Sequence, residues 1–290
     1  MIILAKFNET PWDIEAKKIT FKELYEKWKE KKAPKLGKHN RAALINSYKH
    51  CKRIENMKYY EIRSYHMQEC IDECGLGAST QSQIKNLFGH LDNFAFELDI
   101  INKRYSELIH TAPTPETSKK IFTDEEVNLL WENQNLPWVD SILFFLYTGF
   151  RITEMIELKT ESVDLSDGTI TGGIKTRAGR NRIVPIHSKI FHIVKSRMEE
   201  SKSGYLFEFE GKPLSDKIYR KKWNQIMKNF KMKHTPHECR HTLRSRLDTA
   251  GANKVCIDRI MGHKSGDVGE RVYTHKTISE LKANIELVTN

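Results

Sequence analysis

The chain has 290 residues and carries 48 Lys and Arg against 38 Asp and Glu, so its formal net charge is +10. This length allows two domains, and the positive charge favours a polyanionic partner such as nucleic acid. The five cysteines lack disulfide-framework spacing, which argues against a disulfide scaffold and indicates a reducing compartment. No segment approaches the ~20 apolar residues that cross a bilayer, so we expect a cytoplasmic protein with no membrane partner.

The first hundred residues predict a helical domain. The predicted helices run from Thr20 to about Ala33, from Ala42 toward Ile54, from Ile62 to Cys74 and from Ser79 to about Ile101. A cationic stretch before the second helix carries Lys38, His39 and Arg41, and we expect it to follow a DNA backbone. The alternative for this stretch is a solvated loop.

A polar segment with two prolines, residues 111–119, is predicted to be a linker between domains 20–110 and 120–290. After it, a capping box at Thr123 and Glu126 predicts a helix to about Glu132. The apolar stretch 138–147 predicts a buried helix that ends at Gly149. Residues 163–186 predict a small antiparallel sheet, followed by further helices. The expected fold is therefore mainly α with a small antiparallel sheet.

Two arginines and a late tyrosine predict phosphoryl-transfer chemistry. A phenol such as Tyr273 is a poor nucleophile because its unperturbed pKa is about 10, so it needs nearby cations and proton carriers. The guanidinium forks of Arg151 and Arg240 suit the two non-bridging oxygens of a phosphodiester. For either arginine alone, a structural ion pair is the alternative.

Three further residues are candidates for moving protons or holding the phosphate. His237 lies three residues before Arg240 at the start of a predicted helix, so both side chains share a face near a positive helix end. Lys175 enters a predicted turn and is placed to protonate a leaving 5′ oxygen, unless it is a solvated turn lysine. His263 lies ten residues before Tyr273 and is a phosphate contact or a structural histidine.

Further basic residues are expected to contact DNA phosphates. They are Arg177, Arg180 and Arg182 of the turn that follows Lys175, together with Lys233 and His234.

The order and spacing of four motifs resemble those of the tyrosine recombinases, particularly integrases of phages and integrative conjugative elements of Gram-positive bacteria. The motifs are residues 148–154 (TGFRITE), 237–242 (HECRHT), 261–265 (MGHKS) and 272–275 (VYTH). Phe150 stands where a leucine is more common, a change expected to affect packing only.

The resemblance implies an activity and a set of roles. Tyr273 would form a 3′-phosphotyrosyl link and release a 5′ hydroxyl, so that strands are cleaved and rejoined and a mobile element or prophage is integrated or excised. The site would be completed by Arg151, Lys175, His237, Arg240 and His263, with Glu154 supporting Arg151. No metal and no cofactor is implied, because the covalent link conserves the phosphodiester energy.

The resemblance also implies an architecture and partners. A helical core-binding (SAM-like) domain and a mixed α+β catalytic domain would form a C-shaped clamp around double-stranded attachment sites. Four protomers would assemble on the DNA, with an excisionase or a host DNA-bending protein as further partners, in a bacterial cytoplasm. Residues 1–19 would be a linker or the remnant of an upstream arm-binding domain. The segment after Tyr273 would dock on a neighbouring protomer or on its own domain, and the sequence leaves this open.

Three alternatives remain. A type IB topoisomerase shares the tyrosine chemistry, but the integrase-like first domain argues against it. A catalytically silent DNA-binding protein would lack a catalytic side chain, and all are present. A zinc site is the third alternative, although His237 and Cys239, two of its possible ligands, would diverge on a helix. The full set of possible zinc ligands is His237, Cys239, His241 and His263.

Overall fold

The structure, a computed structural model, describes residues 18–115, 120–173, 179–263 and 276–289. The chain divides into two compact units, Met1–Thr117 and Ser118–Asn290. The division falls inside the segment that the sequence predicts as a linker, and residues 111–115 form neither helix nor strand. Among the described helices, none combines the length and the apolar character that a membrane span requires.

The N-terminal unit is helical. Its α-helices are α1 (Phe21–Lys31), α2 (Lys38–Ser47), α3 (Ser64–Asp72) and α4 (Ala78–Glu97), joined by short 3₁₀ turns. Helix α1 begins where a capping box satisfies its first backbone N–H groups: Glu23 N donates to Thr20 Oγ1 at 3.2 Å and Thr20 N donates to Glu23 Oε2 at 2.8 Å. The helical domain predicted from sequence is thus present.

Two helix boundaries differ from the prediction. Helix α2 begins at Lys38 rather than Ala42, so the cationic stretch forms its first turn instead of a loop. It ends at Ser47, and a 3₁₀ segment, Tyr48–Ile54, continues the chain. A run of charged side chains hides a helix start because it lacks the apolar periodicity that marks one.

The core of the N-terminal unit lies against α4, whose apolar stripe is fully buried. One carboxyl group is buried with it. Asp92 accepts hydrogen bonds from Tyr59 Oη and from Ser106 N, each at 2.7 Å. Burial raises the pKa of Asp92, although these two donors oppose the shift. The buried carboxylate of this core is therefore paired inside it.

The C-terminal unit combines helices with small antiparallel sheets. Its helices are α5 (Asp124–Glu132), α6 (Val139–Thr148), α7 (Ile152–Ile156), α8 (Phe191–Glu200), α9 (Asp216–Asn229), α10 (Pro236–Thr249), α11 (Lys254–Met261) and α12 (Ile278–Ile285). Its strands are β1 (Val163–Asp164), β2 (Thr169–Gly172), β3 (Arg182–Pro185), β4 (Glu208–Phe209) and β5 (Lys212–Pro213).

Helix α6 is the buried centre of this unit. Every residue in it except Asp140 is buried, as the apolar stretch predicts. It packs along α10, and it ends at Gly149, whose left-handed φ of +65° an L side chain adopts only with strain. The chain therefore turns sharply between the core helix and Arg151.

The main sheet has the strand order β1-β2-β3, and all its pairs are antiparallel. Ile170 pairs with Val184, and both side chains point into the core. The first predicted turn is present at Gly168, which has a φ of +52°. Residues 174–178 of the second predicted turn lie outside the described residues.

The C-terminal segment packs on its own unit. Leu281, Ile285 and Val288 are buried in the same core as α6. The ring Nε2 of His187 donates to the Val288 carbonyl at 3.0 Å, and Ser188 donates to the carboxylate of Glu286 through its backbone N at 2.6 Å and its hydroxyl at 2.7 Å. In the single chain, this segment therefore docks on its own unit.

Candidate active site

Helix α10 presents two of the predicted site residues. It begins after Thr235, whose backbone N donates to Glu238 Oε2 at 2.9 Å. His237 in the first turn is exposed, and its ring meets that of His241 edge to face at 4.7 Å between centroids. Arg240, one turn further on, is buried. Because α10 begins at Pro236, both His237 and Arg240 lie within it, three residues apart on one helix face.

Arg240 joins three segments of the unit. Its Nη1 donates to the carbonyl of Gly149 at 2.5 Å, and its Nη2 donates to the carbonyl of Met261. The same Nη2 lies 3.0 Å from Nε2 of His263. One guanidinium thus connects the end of α6, the end of α11 and the predicted histidine motif. Such multiple pairing is what allows a charged group to be 3% exposed.

The surroundings of Arg240 disfavour its positive charge. Burial, followed by repulsion from Arg151 and Arg182, lowers the pKa of Arg240 to about 9. Arg240 therefore remains charged at neutral pH, but its surroundings favour an added negative charge. A phosphate oxygen would relieve the repulsion among these arginines.

Arg151 is the N-cap of helix α7, and Glu154 in the first turn of that helix fixes its side chain. Its Nη1 donates to Glu154 Oε1 at 2.8 Å, and its backbone N donates to Glu154 Oε2 at 3.0 Å. The Arg151 side chain keeps 17% of its surface exposed, whereas that of Glu154 is fully buried. The support of Arg151 by Glu154, which the resemblance implies, matches this geometry.

Glu154 is the buried anion of the site. Besides Arg151, it accepts a hydrogen bond from Arg182 Nη2 at 2.9 Å. Burial alone would raise the pKa of Glu154, but the hydrogen bond and charge of Arg182, followed by those of Arg151, outweigh it and lower the pKa. Glu154 is therefore ionised at neutral pH.

The prediction that Arg182 contacts DNA is wrong for this conformation. The residue begins strand β3, and its side chain is 4% exposed. Its guanidinium points inward, where it lies 4.6 Å from the ring centroid of Phe150 and donates to the carbonyl of Ile260 at 2.9 Å. The sequence places Arg182 in a basic turn, but the strand register turns its side chain into the core.

His263 lies directly after Gly262, the left-handed residue that ends α11. Its Nε2 faces Arg240, and its Nδ1 lies 3.0 Å from Nη1 of Arg244. Burial, followed by the charges of Arg240 and Arg244, lowers the pKa of His263 to about 4. The ring is therefore neutral at neutral pH and retains one accepting nitrogen.

Arg244 is a residue of this cluster that the sequence analysis missed. It pairs with Asp258 of α11 at 3.1 Å and is 42% exposed. The signal was available in the sequence, since His237, Arg240 and Arg244 follow a helical i, i+3, i+7 spacing.

The other predicted DNA contacts are mostly at the surface. Lys38 and His39 are exposed in the first turn of α2, Arg41 is half-buried there, and Arg180 and Lys233 are exposed. His234 differs, because its side chain is 6% exposed and its Nδ1 and Nε2 lie 2.9 Å and 3.0 Å from Glu238 and Glu126. It also stacks on Phe122 at 3.9 Å. The prediction of a phosphate contact at His234 is therefore wrong for this conformation.

Three predicted site residues, Lys175, Arg177 and Tyr273, lie outside the described residues, as does the rest of the tyrosine motif.

The zinc alternative receives no support from the geometry of α10. Cys239 is fully buried, and burial raises the pKa of its thiol well above its usual range, which disfavours the thiolate that zinc binds. Within the described parts of the chain, no three His, Cys, Asp or Glu side chains are grouped so that they could hold a metal ion.

The arrangement as a whole is rich in hydrogen-bond donors and positive charge. Within the described residues, four guanidinium groups (Arg151, Arg182, Arg240 and Arg244) meet two carboxylates (Glu154 and Asp258). Both ring nitrogens of His263 face arginine donors, yet a neutral imidazole accepts at only one. The cluster therefore lacks an acceptor that an anion would supply.

A comparison with known families decides the relationship. The profile described as the Phage integrase family matches residues 106–280, more than half of the chain. The chain belongs to the phage integrase family. It is accordingly a site-specific recombinase of the tyrosine type, and the prediction from the four motifs is confirmed. The type IB topoisomerase alternative gains no support from these comparisons.

Individual relatives agree with this assignment. The tyrosine recombinase XerA of Pyrococcus furiosus is 28% identical over 202 residues, which cover 66% of this chain and 69% of that protein. The Tn1549 transposon integrase in complex with circular intermediate DNA has a TM-score of 0.69 at 20% identity, with 92% of this chain and 99% of that chain covered. The lambda integrase tetramer bound to a Holliday junction has a TM-score of 0.72 at 15% identity, with 94% and 87% covered. At these identities, the structural likeness establishes the fold.

Proposed function

We propose that this recombinase is an integrase that cleaves and rejoins DNA through a 3′-phosphotyrosyl intermediate formed by Tyr273. The observation that carries the proposal is the excess of donors around Arg240 and His263, because the scissile phosphate supplies the missing acceptor and the negative charge. Integration and excision of a mobile element are the expected outcomes.

The proposed reaction distributes its steps among the site residues. The phenolic oxygen of Tyr273 attacks phosphorus, the bond from phosphorus to the 5′ oxygen breaks, and the 3′ end becomes linked to the protein. His237 accepts the phenolic proton and Lys175 donates a proton to the leaving 5′ oxygen. A 5′ hydroxyl of the partner strand then attacks the link and releases the tyrosine.

The arginines hold the phosphate during both steps. Arg151 and Arg240 contact the non-bridging oxygens, where negative charge accumulates in the transition state. Glu154 orients Arg151 through its hydrogen bond at 2.8 Å. His263 is neutral, so it donates or accepts a hydrogen bond without adding charge. Because the guanidinium groups neutralise the phosphate, the proposed mechanism needs no metal ion and no cofactor.

DNA binding outside the phosphodiester is proposed for exposed basic residues of both units. They are Lys38 and His39 at the start of α2, with Arg180 and Lys233 of the C-terminal unit. The same role is proposed for Arg41, which is half-buried, and for Arg177, which lies outside the described residues. Such residues contact phosphates and set the position of the protein on the duplex without reading sequence.

The proposed assembly is a tetramer on paired attachment sites. The lambda integrase, which shares this fold, is known as a tetramer bound to a Holliday junction. An excisionase or a host DNA-bending protein would join such an assembly, in a bacterial cytoplasm where the protein is bound to the nucleoid. Because α12 packs on its own unit, any exchange of this segment between protomers would require it to leave the core that holds Leu281 and Ile285.

A nicked-DNA trapping experiment tests the proposal. The binding site is first selected from a pool of duplexes with the Tyr273→Phe variant, and a nick is then placed so that the cleaved fragment diffuses away. A covalent adduct on a denaturing gel with the wild type alone supports the proposal. An adduct with Tyr273→Phe contradicts it, since another nucleophile must then act. A gel shift without any adduct favours the silent DNA-binding alternative.

A further inference from the structure

We propose that Arg182 is a positioning residue of the recombination site, which holds the pair Arg151–Glu154 and the end of helix α11 in one arrangement. The proposal rests on the proposed function, because it concerns the geometry in which the arginines and His263 meet the phosphate. It assigns an internal role to a residue that the sequence places among the DNA contacts.

The contacts of Arg182 reach two segments that are distant in sequence and one that is close to it in the chain. Its Nη2 donates to Glu154 Oε2 at 2.9 Å, and its Nε donates to the Ile260 carbonyl at 2.9 Å. Its Nη1 lies 3.4 Å from the Gly179 carbonyl. The first contact reaches the helix that Arg151 caps, and the second reaches the last turn before His263. One planar group therefore links two predicted catalytic motifs.

The space around the Arg182 side chain is closed on several sides. The Phe150 ring lies 4.6 Å away on one face. A Cβ added at Gly262 would lie 2.9 Å from Arg182 Cδ, and one added at Gly173 would lie 2.5 Å from its Nη1. Both glycines have positive φ, so the chain bends around the guanidinium at the two places where a side chain would collide with it. Arg182 cannot move without displacing these segments.

The burial of Arg182 distinguishes positioning from phosphate binding. Its side chain is 4% exposed, whereas that of Arg151 is 17% exposed. Arg151 and Arg182 share the carboxylate of Glu154, so the position of Arg151 depends on Arg182 through that carboxylate. Losing Arg182 would leave the buried Glu154 with a single cationic partner and would free it to turn.

The test compares Arg182→Met with Arg197→Met. Arg197 is a matched control in the same unit: it donates to Asp140 at 2.6 Å and 2.8 Å and lies against the rings of Trp138 and Phe207. Melting temperature, affinity for the selected duplex and the single-turnover rate of adduct formation are measured for both. We expect both variants to have a lower melting temperature than the wild type. Only Arg182→Met should also form adduct more slowly, by on the order of 100-fold, while its affinity for the duplex is unchanged.

A pH series separates positioning from a general loss of stability. In Arg182→Met the main cation that keeps Glu154 ionised is gone, so we expect adduct formation to weaken further as the pH falls from about 8 to about 5. Arg182→Lys keeps the charge but loses the planar fork. Its rate of adduct formation should be roughly tenfold below that of the wild type, and its pH dependence should equal that of the wild type.

The proposal is overturned if Arg182→Met loses no more rate than Arg197→Met, or if its affinity for DNA falls as far as its rate. Should Arg182→Met fail to fold, Arg182→Lys decides, and a wild-type rate in that variant overturns the proposal. Adduct formation by the wild type but not by Tyr273→Phe upholds the proposed function independently of Arg182. Absence of adduct with the wild type overturns both.

Discussion

Nη2 of Arg240 lies 3.0 Å from Nε2 of His263, so a buried cation and a neutral ring share one edge of the site. The opposite ring nitrogen, Nδ1, faces Arg244 at the same distance. Partial burial and the positive charges that face both ring nitrogens oppose the protonation of His263. The arrangement suits a site that receives an anion. The neutral ring can accept a hydrogen bond from only one of the two arginines, and a bound phosphate would accept one from the other.

The first prediction concerns His263 and pH. Its pKa is lowered from 6.5 to about 4, so between these values the unfolded chain binds a proton that the folded chain does not. The free energy of unfolding should therefore fall as the pH decreases through this interval. His263→Asn should show a smaller fall. Urea unfolding at roughly pH 7 and roughly pH 5 measures both differences, and equal falls would contradict the prediction.

The second prediction concerns the fork of Arg240. Arg240→Lys cannot reach both the Gly149 and the Met261 carbonyls, and each unpaired buried group costs about 1–3 kcal/mol. We expect a less stable protein that still binds DNA but forms adduct about 100- to 1000-fold more slowly. Arg246→Lys on the same helix, where the arginine pairs with Asp124, is the control and should keep the wild-type rate. A wild-type rate in Arg240→Lys would show that the fork is dispensable.

The third prediction concerns the buried carboxylate. Glu154→Gln leaves two arginines without their counter-ion, so we expect the free energy of unfolding to fall by about 3–5 kcal/mol. Because the pKa of Glu154 is lowered, its ionic contribution is fully present at neutral pH and is lost in acid.

The matched control for this prediction is Glu161→Gln. Glu161 pairs with Lys159 at the surface and is 75% exposed, so its loss should cost less than about 1 kcal/mol. Urea unfolding at neutral pH compares the two variants. Similar costs would mean that the Glu154 pairs contribute no more than a surface pair.

The sequence predicts the helical architecture well where the signals are local. The predicted helix start at Thr20, the capping box at Thr123 and the stop at Gly149 lie at the helix ends of the structure. These signals depend on hydrogen bonds and φ angles within a few residues, so they do not need the rest of the fold. The start of α2 at Lys38 carries no such side-chain cap, and the prediction there was wrong.

The site is harder to predict because the direction of a side chain depends on tertiary packing. Arg180 and Arg182 look alike in the sequence, yet Arg180 is exposed and Arg182 is buried. His234 follows a lysine in a basic stretch, but two glutamates on different helices draw it inward. Arg240 and Glu154 were found because the motif spacing, rather than the charge, identified them.

The last prediction concerns the glycine that ends α11. Gly262 and Gly251 both have left-handed φ angles, +64° and +74°, so an alanine at either position should cost roughly 1–2 kcal/mol in strain. Only at Gly262 would the new Cβ also collide, at 2.8 Å from Gly179 Cα and 2.9 Å from Arg182 Cδ, whereas Gly251 faces open space. Gly262→Ala should therefore be about 1–3 kcal/mol less stable than Gly251→Ala and should form adduct more slowly. Urea unfolding and trapping on nicked DNA measure the two differences, and indistinguishable variants would mean that the contact between α11 and Arg182 is looser than its geometry indicates.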